Sequence, residues 1–217
     1  MESQSTAGRA NQKLRTRTAI VRAAAELSRT GREVTMPEVA RAALVSEATA
    51  YRYFPDLVSL LREAVVGQLP TPEEALEPVA GSDDPVERVA AVTEFLLRHV
   101  LARQGVVRAM IAATVIRPGD AAARPGLRFG LIDHALSPLA ETLEAADPAA
   151  LAQLKRDLAV VVSAEALFGL TDLHGLDPQD AITSIVHTAT TLTRAALREH
   201  AATGYPAAPG GSGSPAR

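Results

Sequence analysis

Cysteine and tryptophan are absent from this 217-residue chain, and three Tyr and four Phe supply all of its aromatic rings. Without cysteine there is no disulfide framework, no thiolate metal site and no thiol nucleophile, which makes a reducing compartment the simplest home. Long apolar runs are missing as well. No stretch approaches the roughly 20 residues of a membrane span, and the opening MESQSTAGRANQKLR lacks the apolar middle of a secretory signal, so a cytoplasmic protein with no membrane partner is expected. Sustained polar–apolar alternation between hairpin turns does not occur, which excludes an ordinary β-domain. There is no P-loop, no G-x-S-x-G and no H-E-x-x-H, and His99, His134, His174, His187 and His200 keep no close metal spacing. No catalytic centre, cofactor or metal site is expected.

What is present is charge asymmetry and clear helix punctuation. Residues 1–55 carry nine Lys and Arg against five Asp and Glu, a balance of +4; the rest carries thirteen against twenty, a balance of −7. A basic head on an acidic body is a modest footprint of nucleic-acid binding. Asp-Pro pairs at Asp84-Pro85, Asp147-Pro148 and Asp177-Pro178 place a side-chain acceptor at a helix N-cap and a preset φ at the first helical residue. Apolar residues follow each pair at helical spacing, and the whole chain reads as all-α.

The N-terminal part divides into short, well-signalled pieces. A first helix is expected from about Leu14 to Thr30, ending at Gly31. Thr35 and Glu38 form a capping box for a second, with Pro37 in its first turn. Ser46 caps a third through Tyr53, Pro55 stops it, and Asp56 starts a fourth. Two short helices joined by a few residues and braced by a longer one describe a helix-turn-helix.

The second helix of that pair contains SEATAYRYF, three aromatic rings within four positions behind a run of small residues. Ser46, Ala48, Thr49 and Ala50 would let it approach a groove floor, and Thr49 could bond a base edge or touch a thymine methyl. Arg52 could pair with guanine or clamp a phosphate, while Tyr51 and Tyr53 would offer hydroxyls to phosphate. Phe54, with no polar handle, should be core. An alternative is that the segment only packs a bundle, with both Tyr rings half-buried and Arg52 solvated.

The stretch from Thr18 through Leu61, with Gly31, Thr35, Val39-Ala40, Val45-Ser46, Tyr51 and Phe54 in order and spacing, resembles the DNA-binding head of TetR-type transcriptional regulators. The resemblance spans residues 15 to 65. It implies an all-α homodimer: an N-terminal helix-turn-helix three-helix domain followed by a larger helical ligand-binding and dimerisation domain, which represses a promoter until a small molecule releases it. It also implies that Tyr51 touches a phosphate and that Thr49 and Arg52 face DNA. The DNA-binding set is then Arg15, Arg17, Thr35, Ser46, Glu47, Ala48, Thr49, Tyr51, Arg52 and Tyr53. Three residues depart from the family pattern: Leu44 stands at a turn position commonly Gly, Leu57 where a phosphate-contacting Lys is frequent, and Glu47 where basic or small residues are usual. Arg9, Lys13, Arg15 and Arg17 could compensate by gripping phosphates or the minor groove.

The expected domains are a flexible arm at 1–13, the helix-turn-helix at 14–55, an effector-binding and dimerisation body at 56–203 with a connecting helix at 56–68, and a disordered tail at 204–217. Helices over 148–173 and 178–200 are the expected dimer contact, the first carrying VVVSAEALFGL as a segment covered on both sides. Glu165 stands out there and, if buried, needs a cation or hydrogen-bond donors, an Arg pairing first and a ligand contact second. Phe95, His99, Met110, Thr114, Phe129, Asp133 and Glu165 are the candidate effector contacts. Two other functions remain open: a helical dimer that docks proteins, and an activator without a small-molecule ligand.

Overall fold

The computed structural model describes residues 2–66, 68–116, 126–140 and 147–203. Every element among them is helical. The head comprises α1 (Glu2–Ser28), α2 (Met36–Ala42), α3 (Glu47–Tyr53) and α4 (Leu57–Val66). Its boundaries are set by local hydrogen bonds. The Glu38 N–H donates to Thr35 Oγ1 at 3.4 Å while Thr35 N–H donates to Glu38 Oε2 at 3.1 Å, closing the capping box. These bonds from Thr35 hold the Glu38 carboxyl below its usual range. Ser46 Oγ accepts from Thr49 N–H at 3.2 Å to start α3, and Asp56 Oδ1 accepts from Ser59 N–H at 2.7 Å to start α4.

Gly31 ends α1 with φ +69°, and Leu44 takes φ +58° in the turn between α2 and α3. Leucine adopts that region at a cost of roughly 1–2 kcal/mol, because its Cβ crowds the following carbonyl. The turn keeps the geometry that glycine would provide, and the strain is borne.

Ile20, Ala24, Val39, Ala40, Ala50, Phe54, Leu60, Leu61 and Ala64 form one buried cluster. Residues of α4 are part of it, so packing groups this helix with the head, not with the body at an expected 55/56 boundary. α1 also begins earlier than Leu14. Residues 2–13 contain no proline and continue the helix, which extends past the head's core with Ala10–Leu14 exposed. The expected tail at 204–217 lies outside the described residues.

In the body, α5 (Pro72–Leu76) leads through a short 3₁₀ turn into α6 (Pro85–Ala102). α7 (Gln104–Ile116) leaves α6 at 93°. Next come α8 (Leu127–Ala135), α9 (Pro148–Val161), α10 (Ala164–Phe168) and α11 (Pro178–Thr203). The three Asp-Pro caps all form: Asp84 accepts from Val86 N–H at 2.8 Å, Asp147 from Ala150 N–H at 3.0 Å and Asp177 from Gln179 N–H at 2.8 Å. Around α6 a second core gathers Val89, Leu97, Leu131, Leu136, Leu158, Leu167 and Ile182.

The expected continuous helix over 148–173 is broken. α9 stops at Val161, Ser163 is extended (φ −145°, ψ 154°), and its Oγ accepts from Ala166 N–H at 3.1 Å to start α10, which runs on into a π turn at 169–173. Three consecutive β-branched valines weaken the helix here, and a serine hydroxyl then competes for its N–H groups. In the single subunit Val160 is 75% exposed and Glu165 is exposed.

Head and body meet backbone to backbone. A Cβ built on Gly105 would lie 2.0 Å from the Arg32 carbonyl oxygen, so only glycine permits the approach of the α6–α7 corner to the loop after α1. Beside it, the Gly31 Cβ position lies 3.2 Å from the Ala102 oxygen.

Candidate functional site

Two arrangements stand out: the outward face of α3 and a cavity in the body. On α3, Glu47 and Ala48 are exposed, Tyr51 is 49% exposed and Arg52 is exposed. The Arg52 guanidinium lies 5.8 Å from the centroid of the half-buried Tyr53 ring. Ser46 Oγ donates to Thr49 Oγ1 at 2.9 Å, so the Thr49 hydroxyl keeps its proton for another acceptor. Ala50 is fully buried and faces the core, not a groove as expected: the turn that exposes Ala48 and Tyr51 points the residue between inward. Phe54 is buried, as its lack of a polar group required.

Thr35 spends its hydroxyl on Glu38, to which it donates at 2.8 Å. Arg15 is exposed on α1. Arg17 differs: its guanidinium pairs with Glu63 of α4 and stacks 4.5 Å from the Phe54 ring centroid, bracing α1 against the end of α3 and α4. Its charge is engaged within the head instead of standing on a free arm. Leu44, 92% exposed at the α2–α3 turn, is the most exposed large apolar side chain among the described residues of the head.

The body cavity has a volume of about 330 Å³ and lies between α4, α6, α7, α8 and the start of α10. Val65, Leu96, Val100, Val106, Val107 and Leu127 give it an apolar wall. His99, Met110, Thr114 and Phe129 line it as expected. Three expected contacts do not. Phe95 faces a separate outer groove between α5 and α6, one residue before Leu96 and thus turned away from the cavity wall; His99, one turn after Phe95, borders both spaces. Asp133 pairs with Lys155 of α9 at 2.8 Å, and Glu165 is exposed and lies 3.5 Å from Arg128, the pairing with an arginine that its position called for.

Two arginines missing from the expected set line the cavity. Arg103 donates from Nη1 to His99 Nδ1 at 3.2 Å. A guanidinium only donates, so Nδ1 accepts and the imidazole is neutral. Burial, reinforced by the Arg103 charge, pushes the His99 pKa down to about 4. Burial and the nearby Arg29 charge lower the Arg103 value in turn. Arg128 contributes a buried Nε with no hydrogen-bond partner among the described residues. The spacing of His99 and Arg103, one helical turn apart, could have flagged the first; nothing local marks Arg128.

No group of three or more His, Cys, Asp or Glu gathers to hold a metal among the described residues. No single helix among them is long and apolar enough to cross a membrane.

A short helix pair with a capped, exposed second helix, braced by α1 and carried on an all-helical body, is the architecture of a helix-turn-helix DNA-binding protein. Residues 20–64 match the model of the bacterial regulatory proteins of the tetR family. Two solved structures share the fold. A TetR transcriptional regulator from Rhodococcus sp. RHA1 is 24% identical with a TM-score of 0.52, over 83% of this chain and 97% of that one. A tetR-family transcriptional regulator from Streptomyces coelicolor is 20% identical with a TM-score of 0.51, over 87% of this chain and 85% of that one. No curated protein matches the chain significantly. The likeness therefore covers a tetR-family head at residues 20–64 and the all-helical fold shared with these two solved regulators.

Proposed function

We propose that the chain is a ligand-responsive repressor that binds a palindromic operator as a homodimer and leaves it when a small molecule fills the body cavity. The observation that carries this reading is a set of shared side chains. Val65, Val106 and Met110 belong to the buried core of the head and also line the cavity. A ligand that prefers a different spacing of these residues moves the head with them, and in a dimer changes the separation of two heads that must sit about 34–36 Å apart on DNA.

In this reading α3 enters the major groove. Tyr51 and Arg52 meet the backbone and a base edge, Thr49 offers its free proton, and Ser46 and Ala48 keep the approach close. Thr35, Tyr53 and Arg15 flank that surface, Arg17 holds it together from behind, and Glu47 disfavours phosphate beside it. The polar character of the exposed α3 face favours DNA over protein docking through the head. The half-exposed outer residues of α9 and α11 supply the dimer contact, and the cytoplasm is the compartment where such a protein meets its promoter.

Selection of bound sites from random duplexes is expected to return an inverted repeat, with affinity falling steeply as salt rises. Recovery of a direct repeat or of no consensus would refute the dimeric reading. Arg52→Ala should weaken operator binding by about 1–3 kcal/mol and relax preference at particular base pairs; an unchanged titration would remove Arg52 from the interface.

A further inference from the structure

The donors around the cavity are not equally available. Thr114 spends its hydroxyl on the Met110 and Ile111 carbonyls at 3.2 and 2.8 Å. Ser163 donates to the Val160 carbonyl at 3.0 Å and accepts from Ala166 N–H at 3.1 Å. Both neutral hydroxyls at the wall are therefore committed to backbone. Of the other side chains at the wall, His99 is neutral and keeps one N–H, and Arg103 and Arg128 are cationic.

Arg108 and Arg128 show the contrast. Each stacks on a phenylalanine, Arg108 at 3.8 Å from the Phe168 centroid and Arg128 at 4.9 Å from that of Phe129. Arg108 lies outside the cavity and forks onto both Asp172 oxygens, one at 2.8 Å. Arg128 lines the cavity, and its nearest Glu165 oxygen stands 3.5 Å away, beyond the roughly 2.7–2.9 Å of a formed charge-assisted bond. Its Nε is buried without a partner. A planar fork with an unused buried donor matches a carboxylate, which accepts two parallel N–H bonds.

The surrounding field has the same sign. Arg103 and Arg128 both line the cavity, and no Asp or Glu does so among the described residues. His99 is held neutral by burial, with the Arg103 charge adding to it. A cation entering here would meet two guanidiniums, with Glu165 beside Arg128 as the carboxylate close by among the described residues, whereas an anion would satisfy a donor that the fold leaves open.

We propose that the cavity selects an amphipathic carboxylate: a carboxyl group seated on Arg128, with Arg103 adding to the attraction, and an apolar body against Val65, Val100 and Val106. This rests on the reading of the cavity as the effector site and names the chemical class of its ligand. At about 330 Å³ the space holds at least on the order of ten non-hydrogen atoms, taking roughly 30 Å³ for a water-sized group. Glu165 then acts as a placeholder that the ligand's carboxylate displaces from Arg128.

Titration calorimetry on the full chain with octanoate, 1-octanol and octylammonium compares three head groups on one tail. Octanoate is expected to bind roughly tenfold or more tighter than octanol, with octylammonium weakest, the difference representing hydrogen bonds to a charged donor. Arg128→Gln should bring octanoate down to the level of octanol and leave octanol unchanged. Glu165→Gln, which removes the competing carboxylate, should tighten octanoate and not octanol. If Arg128→Gln fails to fold, the wild-type series and Glu165→Gln decide. Equal affinity for octanoate and octanol, or preference for the ammonium, overturns the carboxylate assignment while leaving an effector cavity in place. Binding of none of the three by the wild type overturns the cavity reading itself, and the assignment with it.

Discussion

In the head, Arg52 stands in solvent on a short helix beside a tyrosine ring, whereas in the body Arg103 and Arg128 line an apolar cavity. The same side chain thus serves two kinds of recognition, and the difference lies in what positions it. Arg52 is placed by a serine cap three residues before Thr49 and by a buried Ala50, all within one turn and a half of helix. Arg103 and Arg128 are some 25 residues apart in sequence and share a cavity only because α6, α7 and α8 pack together. An outward cation can be held by local structure. An inward one needs the whole fold.

The sharpest way to break the relation between the two regions is at their junction. Gly105→Ala puts a methyl group within 2.0 Å of the Arg32 oxygen and 2.8 Å of the Glu33 nitrogen, atoms of backbone that cannot rotate aside. Overpacking of this kind costs about 3 kcal/mol, and urea unfolding should register that loss together with weaker operator binding. A wild-type midpoint and slope would show that head and body are free to separate at this corner.

Within the head, Thr35→Ala removes the hydroxyl half of the capping box, leaving the backbone N–H to Glu38 in place, and should cost about 1 kcal/mol, read as a lower denaturation midpoint; Thr35→Ser should recover most of it. Leu44→Gly works in the opposite direction. It relieves a positive φ on a side chain that is 92% exposed and buries nothing, so stability should rise by up to roughly 1 kcal/mol. A loss of stability would mean that the leucine makes a contact in the assembled protein.

The smallest effect is the pH response of the body. The folded-state pKa of His99 is about 4, below the 6.5 of an unperturbed imidazole, so the folded form binds a proton less readily than the unfolded one. Its contribution is therefore fully present above pH 6.5 and is lost as pH falls from 6.5 towards 4. Arg103 donates to its Nδ1 and Arg128 shares its cavity, while on its outer side Glu87 borders the groove and Glu94 and Arg98 are paired with each other at 2.6 Å. Glu38 and Asp172, whose carboxyls are held low, lose their contributions only at more acid pH. Melting between pH 7 and 5 should consequently fall less steeply in His99→Gln than in the wild type, and parallel curves would show that the imidazole is not shielded.

Helix starts were legible wherever the signal is contained in a few residues. Thr35, Ser46, Asp56, Asp84, Asp147 and Asp177 all cap as their neighbours suggested, because an N-cap needs only a short acceptor and an N–H two or three residues on. The break at Val162-Ser163 was not, since an apolar run reads equally well as one buried helix or as two, and burial decides between them. Of one expected set of effector contacts, His99, Met110, Thr114 and Phe129 line the cavity, whereas Phe95, Asp133 and Glu165 are turned elsewhere by their packing, which no single helix pattern encodes.

What the chain determined unaided is its helical character, the capped helix starts and the polar, small-residue character of α3, since each depends on bonds spanning four residues or fewer. Only the tertiary structure decided that Arg17 would brace the head instead of reaching outward, that α4 would pack with the head, and that Arg103 and Arg128 would line one cavity. Those outcomes depend on which distant surfaces come into contact and exclude water, and no window of sequence contains both sides of such a contact.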